Sequence, residues 1–294
     1  MRFTRPGAWA TAGSSPNRRR KSSAARSEAF SIGSGSWLPL FIRRYGTVPG
    51  PGFGGRILKT RGIVIFDVDG TLSRTSEVDD DCWLAAARSV LGVESMSTDW
   101  SDYSHSTDEA IATDLIRDRP GLSGGDDLVR RVRDDFANRI STELERNPEL
   151  FRPVPGADRI FELLAAAGWV PAIATGGWRR TAEMKLGAAG VPFRGVPAAH
   201  ADDAHPREEI VRIAATRALA SPATSFDSAV YVGDGVWDVR AAARLGIGFI
   251  GIGVSEAADR IEAAGAEVVF PDYLSGDAFL EAIEERAAGP FPKS

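Results

Sequence analysis

The stretch IVIFDVDGTL, from Ile63 to Leu72, joins an unbroken apolar run to two carboxylates set two residues apart. A continuous apolar run, rather than an alternating one, suits a parallel strand covered on both faces. In an extended chain residues i and i+2 point the same way, so Asp67 and Asp69 would face one spot at the strand's carboxyl end. Open α/β sheets bind their ligands there. Two close anions repel, and one takes up a proton unless a cation neutralises them. A hard divalent ion such as Mg2+ suits such a pair, because it prefers oxygen ligands and few carboxylates. Alone, DVDG reads equally well as a turn closed by Gly70.

The rest of the chain repeats the opening rhythm. Apolar runs at 63–66, 170–174, 195–199, 229–232, 248–252 and 268–270 predict strands. Helical patterns at 157–167, 178–189, 206–220, 236–245, 256–264 and 276–287 fall between or after them. This order predicts an α/β fold with an open, doubly wound, mainly parallel sheet. The rhythm breaks over 76–154, which offers helical patterns near 79–91, 107–118 and 126–146 and no good strand. Ser106 and Glu109 have the spacing of a capping box opening the middle helix. The organisation expected is a core of 61–75 plus 155–294 with a helical lid domain of 76–154 inserted into it.

Two further strand ends carry chemistry. In AVYVGDGVWDV (229–239) an apolar run meets Asp234 in a glycine-flanked turn, with Asp238 four residues on. If a helix starts here, that spacing sets both carboxylates on one face. In PAIATGGWRR a strand ends in Thr175, with Gly176 and Gly177 leading into a helix. A hydroxyl and free backbone N–H groups at a helix N-terminus can cradle a phosphate, although TGG by itself is more often a structural turn.

Together DVDGT (67–71), Thr175 and GDGVWD (233–238) resemble motifs I, II and IV of the haloacid dehalogenase superfamily. The resemblance covers about 61–285 and is nearest the phosphoglycolate-phosphatase-like branch with a helical cap. It implies a Rossmann-like core, with 76–154 as an α-helical cap domain. It further implies a Mg2+-dependent phosphatase acting on a small phosphorylated metabolite. Asp67 would be the nucleophile and form an aspartyl-phosphate. Asp69 would protonate the leaving alkoxide and then activate water. Mg2+ would be held by the Asp67 carboxylate, the Asp69 backbone carbonyl and Asp234, with Asp238 as ligand or behind one. Thr175, Gly176 and a basic residue would bind phosphate oxygens. Dehalogenases of the family lack the second aspartate, so Asp69 disfavours halide displacement. Sugar-phosphate mutases share the DxD pair and form the alternative within the family.

The family usually supplies a lysine ahead of the motif IV strand, and here none stands there. Beyond residue 60 the lysines are Lys185 and Lys293. Within AHADDAHPREEIVRIAA, Arg207 is the first choice for the missing cation, His205 the second, and Lys185 the third. Arginine can grip a phosphate oxygen bidentately but does not replace lysine atom for atom.

Composition bounds the partners. The net charge of -5 conceals a basic segment, residues 1–60, with eleven Lys and Arg against one acid, Glu28. The acidic remainder argues against broad phosphate-backbone binding. Segment 1–60 is rich in Ser, Gly, Pro and Arg without periodicity, so disorder is its default expectation. A transit peptide, a start codon set too early, or a contact of Arg18–Lys21 with nucleic acid or anionic lipid are its other readings. A non-catalytic binding protein with a nucleic-acid-binding tail is accordingly the alternative from another class. One cysteine, Cys82, rules out an intramolecular disulfide and fits a reducing compartment, so a cytoplasmic location is expected. No apolar run reaches the ~18 residues that span a bilayer. GIGFIG (246–251) mimics a dinucleotide fingerprint but runs into a strand, which is the wrong context. Asp79-Asp80-Asp81 reads as a solvated helix start. Trp178 and Trp237 follow motif residues and read as core residues first and pocket walls second, and His105 as either a substrate-facing or a plain exposed loop residue.

Overall fold

Ile63–Phe66 is fully buried because its strand lies between two neighbours and two layers of helices. The computed structural model describes residues 61–119, 125–219 and 226–287. The basic segment 1–60 and Lys293 lie outside them. The sheet's strands are β1 (Gly62–Phe66), β4 (Trp169–Ala174), β5 (Ala198–Ala199), β6 (Ala229–Gly233), β7 (Gly248–Ile252) and β8 (Val269–Phe270). They stand in the order β5-β4-β1-β6-β7-β8, every pair parallel. The chain builds outward from β1 in one direction through β4 and β5, then crosses to β6 on the other side. The crevice between these halves is the switch point at which such sheets bind ligands.

Alternation along β1 splits the core into two layers. Val64 and Phe66 pack with Ile160, Phe161, Phe279 and Ile283 from helices α4 (Ile160–Ala166) and α9 (Gly276–Arg286). Ile63 and Ile65 pack instead with Ile210, Val211 and Ala214 of α6 (Arg207–Ala218). Three further helices complete the layers: α5 (Arg179–Ala188), α7 (Val236–Leu245) and α8 (Glu256–Ala263).

Between β1 and β4 stand α1 (Ser76–Leu91), α2 (Asp108–Arg117) and α3 (Gly125–Arg146). The chain enters and leaves this helical insertion through β2 (Ser73–Arg74) and β3 (Arg152–Pro153), which pair antiparallel. The insertion has an apolar centre of its own, including Trp83, Ile111, Val132, Phe136 and Ile140, but Trp178 from the sheet side is part of it. Trp83 and Trp178 stack with ring centres 6.1 Å apart and planes 9° from parallel. Among the described residues no helix is long and apolar enough to cross a membrane.

Three local expectations differ from the structure. The capping box does not form. Thr107 precedes α2, while the Ser106 hydroxyl donates to Trp100 O at 2.9 Å and Glu109 accepts from Trp178 Nε1 at 2.7 Å. Tertiary partners outcompete the local pair. The strand expected from 195 begins at 198, because Gly195 sits at φ +85, outside extended backbone. Asp234 precedes α7 rather than belonging to it, since the helix opens on Gly235 and Val236.

Candidate active site

The sheet register sets three strand ends level. Phe66 pairs with Ile173 on one side and Val232 on the other, so Asp67, Thr175 and Asp234 emerge at the same rim. The backbone N–H of Asp67 donates to Val232 O at 3.0 Å, which fixes the residue as a continuation of β1. The chain then turns sharply. Gly70 sits at φ +70 and donates its N–H to Ser73 O at 2.8 Å. A Cβ on Gly70 would stand 1.8 Å from Asp234 Oδ2, so only glycine leaves Asp234 its place. The same logic holds at Gly176, where a Cβ would meet Ser106 O at 2.5 Å and the Arg207 guanidinium at 2.8 Å.

Asp67, Asp234 and Asp238 each present an oxygen within 4.8 Å of the others. Burial, outweighing the Arg207 charge, raises the Asp67 pKa to about 7, with Asp238 and Asp69 adding to the rise and a Thr175 hydrogen bond opposing it. Asp234 is pushed well above the carboxylate range by burial and then by Asp67 and Asp238. Such a set holds more negative charge than its protein partners compensate. The donors are all oxygen and the turn at Gly70 keeps the space clear, so the residues fit a hard divalent cation. Asp238 is differently placed from the other two. Its Oδ1 accepts from Tyr231 OH at 2.8 Å, and its Oδ2 accepts from Gly235 N at 3.1 Å, closing the first turn of α7.

Two cations approach the aspartates from opposite sides. Arg207, at the start of α6, donates through NH1 to Asp67 Oδ1 at 3.1 Å and through NH2 to Ser106 O at 3.1 Å. Its Nε lies 3.6 Å from Asp238 Oδ1. His205 does not join the site: its side chain is exposed, and only its carbonyl is used, accepting from Thr107 Oγ1 at 3.0 Å. Lys185 on α5 is fully buried and lies 2.5 Å from both Asp69 Oδ2 and Asp79 Oδ1. Burial alone would lower its pKa, but the two carboxylates more than reverse that and raise it. Asp69 also accepts from Thr75 Oγ1 at 2.5 Å through its other oxygen. Asp79 is thus no solvated helix-start residue. It is the part-buried partner of Lys185, whose charge opposes the rise that burial gives the Asp79 pKa, in a contact spanning 106 positions that no local pattern announces.

A cavity of about 480 Å³ covers the rim, walled by Asp67, Asp69, Asp80, Trp100, Trp237 and Arg260 among others. Trp237 therefore faces the cavity, against its reading as a core residue, while Trp178 is fully buried as read. His105 is exposed and outside the wall. A wider cleft of about 1010 Å³ lies beside α1 and α3 and touches the site at Gly70 and Asp234. Asp108 fastens the insertion over the rim. Its N–H donates to Gly176 O at 2.8 Å, and its carboxylate accepts from Trp178 N at 2.7 Å and Trp83 Nε1 at 2.8 Å. Burial raises its pKa to about 6 although Lys185 lowers it. Thr175 Oγ1 accepts from Gly177 N at 3.2 Å, leaving its hydroxyl proton directed by Asp67.

Residues 62–246, which include every one of these strand ends, match the family model described as haloacid dehalogenase-like hydrolase. The chain belongs to this family. This haloacid dehalogenase-like hydrolase resembles a hydrolase from Pseudomonas syringae at 24% identity and a TM-score of 0.58, over 77% of this chain and 100% of that one. It also resembles CbbY from Rhodobacter sphaeroides in complex with phosphate, at 21% identity and a TM-score of 0.55, over 73% of this chain and 98% of that one. A CbbY structure with xylulose-(1,5)bisphosphate gives 22% identity, a TM-score of 0.55 and the same coverage. At these identities the likeness establishes the shared fold. No curated protein matches the chain.

Proposed function

We propose that this hydrolase is a Mg2+-dependent phosphatase that cleaves a small phosphorylated metabolite through an aspartyl-phosphate on Asp67. The observation that carries this reading is the meeting of Asp67 with Asp234, Asp238 and Arg207 at one rim of the sheet. Mg2+ would be held by the Asp67 and Asp234 side chains with the Asp69 backbone carbonyl. Asp238, both of whose oxygens are already engaged, orients Arg207 and the turn from behind. When bound, the ion supplies positive charge beside the nucleophile and the phosphoryl oxygens.

The chain's own residues do the rest. Arg207 screens Asp67 from an incoming phosphate and, with the Thr175 hydroxyl and the Gly176 N–H, binds its oxygens. Asp67 attacks phosphorus as the bond to the leaving oxygen breaks, and Asp69 gives that oxygen a proton. Asp69 then takes a proton from water as the water oxygen attacks phosphorus and the bond to Asp67 breaks. Phosphoryl transfer rests mainly on such positioning and charge. The insertion, 76–154, would serve as a cap over the core of 61–75 plus 155–294, enclosing the substrate beneath Ser106–Asp108.

Turnover of p-nitrophenyl phosphate by the full chain tests the reading. Asp67→Asn should abolish it while leaving the circular dichroism spectrum unchanged, and chelation should stop the wild type until Mg2+ is restored. Turnover that survives in the variant removes Asp67 as nucleophile, and turnover that survives chelation removes the metal.

A further inference from the structure

The buried ammonium of Lys185 is used neither by the nucleophile nor by the phosphate site. It is 1% exposed and absent from the cavity wall, so it does not touch a substrate. Its two partners are Asp69 and Asp79, at 2.5 Å each. Asp79 stands in the first turn of α1, and the second partner of Asp69, Thr75, immediately precedes that helix. Among the described residues, the side chains that hold the Asp69 carboxylate are therefore Thr75, where the chain enters the insertion, and a lysine anchored to the insertion's first helix.

We propose that Lys185 is a positioning residue for Asp69, with Asp79 as the alternative anion that lets Lys185 release Asp69 to the leaving oxygen. This rests on the phosphatase reading above. The physical need is plain. A carboxylate gripped by a buried ammonium is a poor proton donor, because leaving the pair strands the ammonium without a counter-charge. With Asp79 already in contact, Lys185 stays paired when Asp69 turns away, and recaptures it afterwards. The device moves Asp69 without touching substrate and without altering phosphate binding by Arg207 and Thr175.

The test is the dependence of kcat/KM on the leaving group, using p-nitrophenyl phosphate, whose leaving group departs unaided, and phenyl phosphate, whose leaving group needs the proton. Asp69→Asn sets the benchmark by losing phenyl phosphate selectively, since a positioned general acid contributes about 10²–10⁴-fold. Lys185→Met and Asp79→Asn should each reproduce that selectivity, by about 100-fold and about 10-fold respectively. kcat/KM for p-nitrophenyl phosphate, which does not report the later hydrolysis step, should fall far less in both. Asp79→Asn keeps side-chain volume and the lysine, so it carries the test should Lys185→Met not fold. Equal losses on both substrates indicate a structural role only and overturn the proposal, as does full activity in Asp79→Asn. A wild type inert to both esters fails the phosphatase reading itself, whereas an active wild type with unselective variants fails only the role of Lys185.

Discussion

At the scale of single residues, the site depends on what is missing as much as on what is present. Gly70 combines a left-handed backbone with a contact that a methyl group would turn into a 1.8 Å clash with Asp234. Gly70→Ala should therefore displace Asp234 and lower kcat/KM by about 100-fold, the loss typical of a 1 Å misplacement. Its backbone strain is confined to one turn at the rim of the sheet and costs about 1–2 kcal/mol, so thermal unfolding should shift only modestly. A large drop in melting temperature with proportionate activity would mean instead that Gly70 serves the fold. Arg207 allows a complementary test, because its three nitrogens reach Asp67, Ser106 and Asp238 at once. Arg207→Lys keeps the charge but not the fork, and should lower kcat/KM by about 10–100-fold through kcat and KM together. Kinetics matching the wild type would show that charge alone suffices. The sequence points to this arginine first because it opens a helix ahead of the motif IV strand. The role of Lys185 was hidden, since nothing near it in the chain identifies Asp69 and Asp79 as its partners.

At the scale of elements, the loop between β5 and α6 ties stability to pH. His200 is 2% exposed, and among the described residues its Nδ1 has no hydrogen-bond partner. Burial, helped by Arg179, lowers its pKa to about 4, against about 6.5 in an unfolded chain. Between those values the unfolded state binds the extra proton, so folding stability is complete above pH ~6.5 and falls as the pH drops toward ~4. The contribution is on the order of 3 kcal/mol. Asp203 works in a lower window. Its hydrogen bonds from Arg217, at 2.7 Å to each oxygen, hold its pKa below the usual value, so its contribution is lost only at more acid pH. His200→Leu should flatten the decline in melting temperature between pH 6.5 and 4.5, and an unchanged slope would remove His200 as its cause. The elements themselves were largely legible. Buried strands such as β1 and β7 announce themselves as apolar runs, and glycine and proline mark most helix ends. Legibility failed where a distant partner intervened, as when Trp178 captured Glu109 from the expected capping box.

At the scale of the whole molecule, the question is how firmly the helical insertion is joined to the sheet. Beyond the paired strands β2 and β3, hydrogen bonds or ion pairs join Asp79 to Lys185, Ser106 to Arg207, Thr107 to His205 and Glu109 to Trp178, and two further links add to them. One is the shared apolar centre containing Trp178. The other is Asp108, whose carboxylate accepts from Trp83 Nε1 of the insertion and Trp178 N of the sheet side. Removing that carboxylate leaves two buried N–H groups unsatisfied, each costing about 1–3 kcal/mol. Asp108→Ala should accordingly lower stability by about 3 kcal/mol. The loss should be unequal across the chain, because β1, β4 and β6 keep both helical layers while the insertion loses its fastening. Amide exchange in the variant should rise over 76–150 well before it rises in the strands. Asp108→Asn, which retains one carbonyl acceptor, should fall between the variant and the wild type. Exchange that rises uniformly in Asp108→Ala would mean that insertion and sheet form one cooperative unit, in which Trp178 and the apolar centre, rather than the carboxylate, govern how the site is covered.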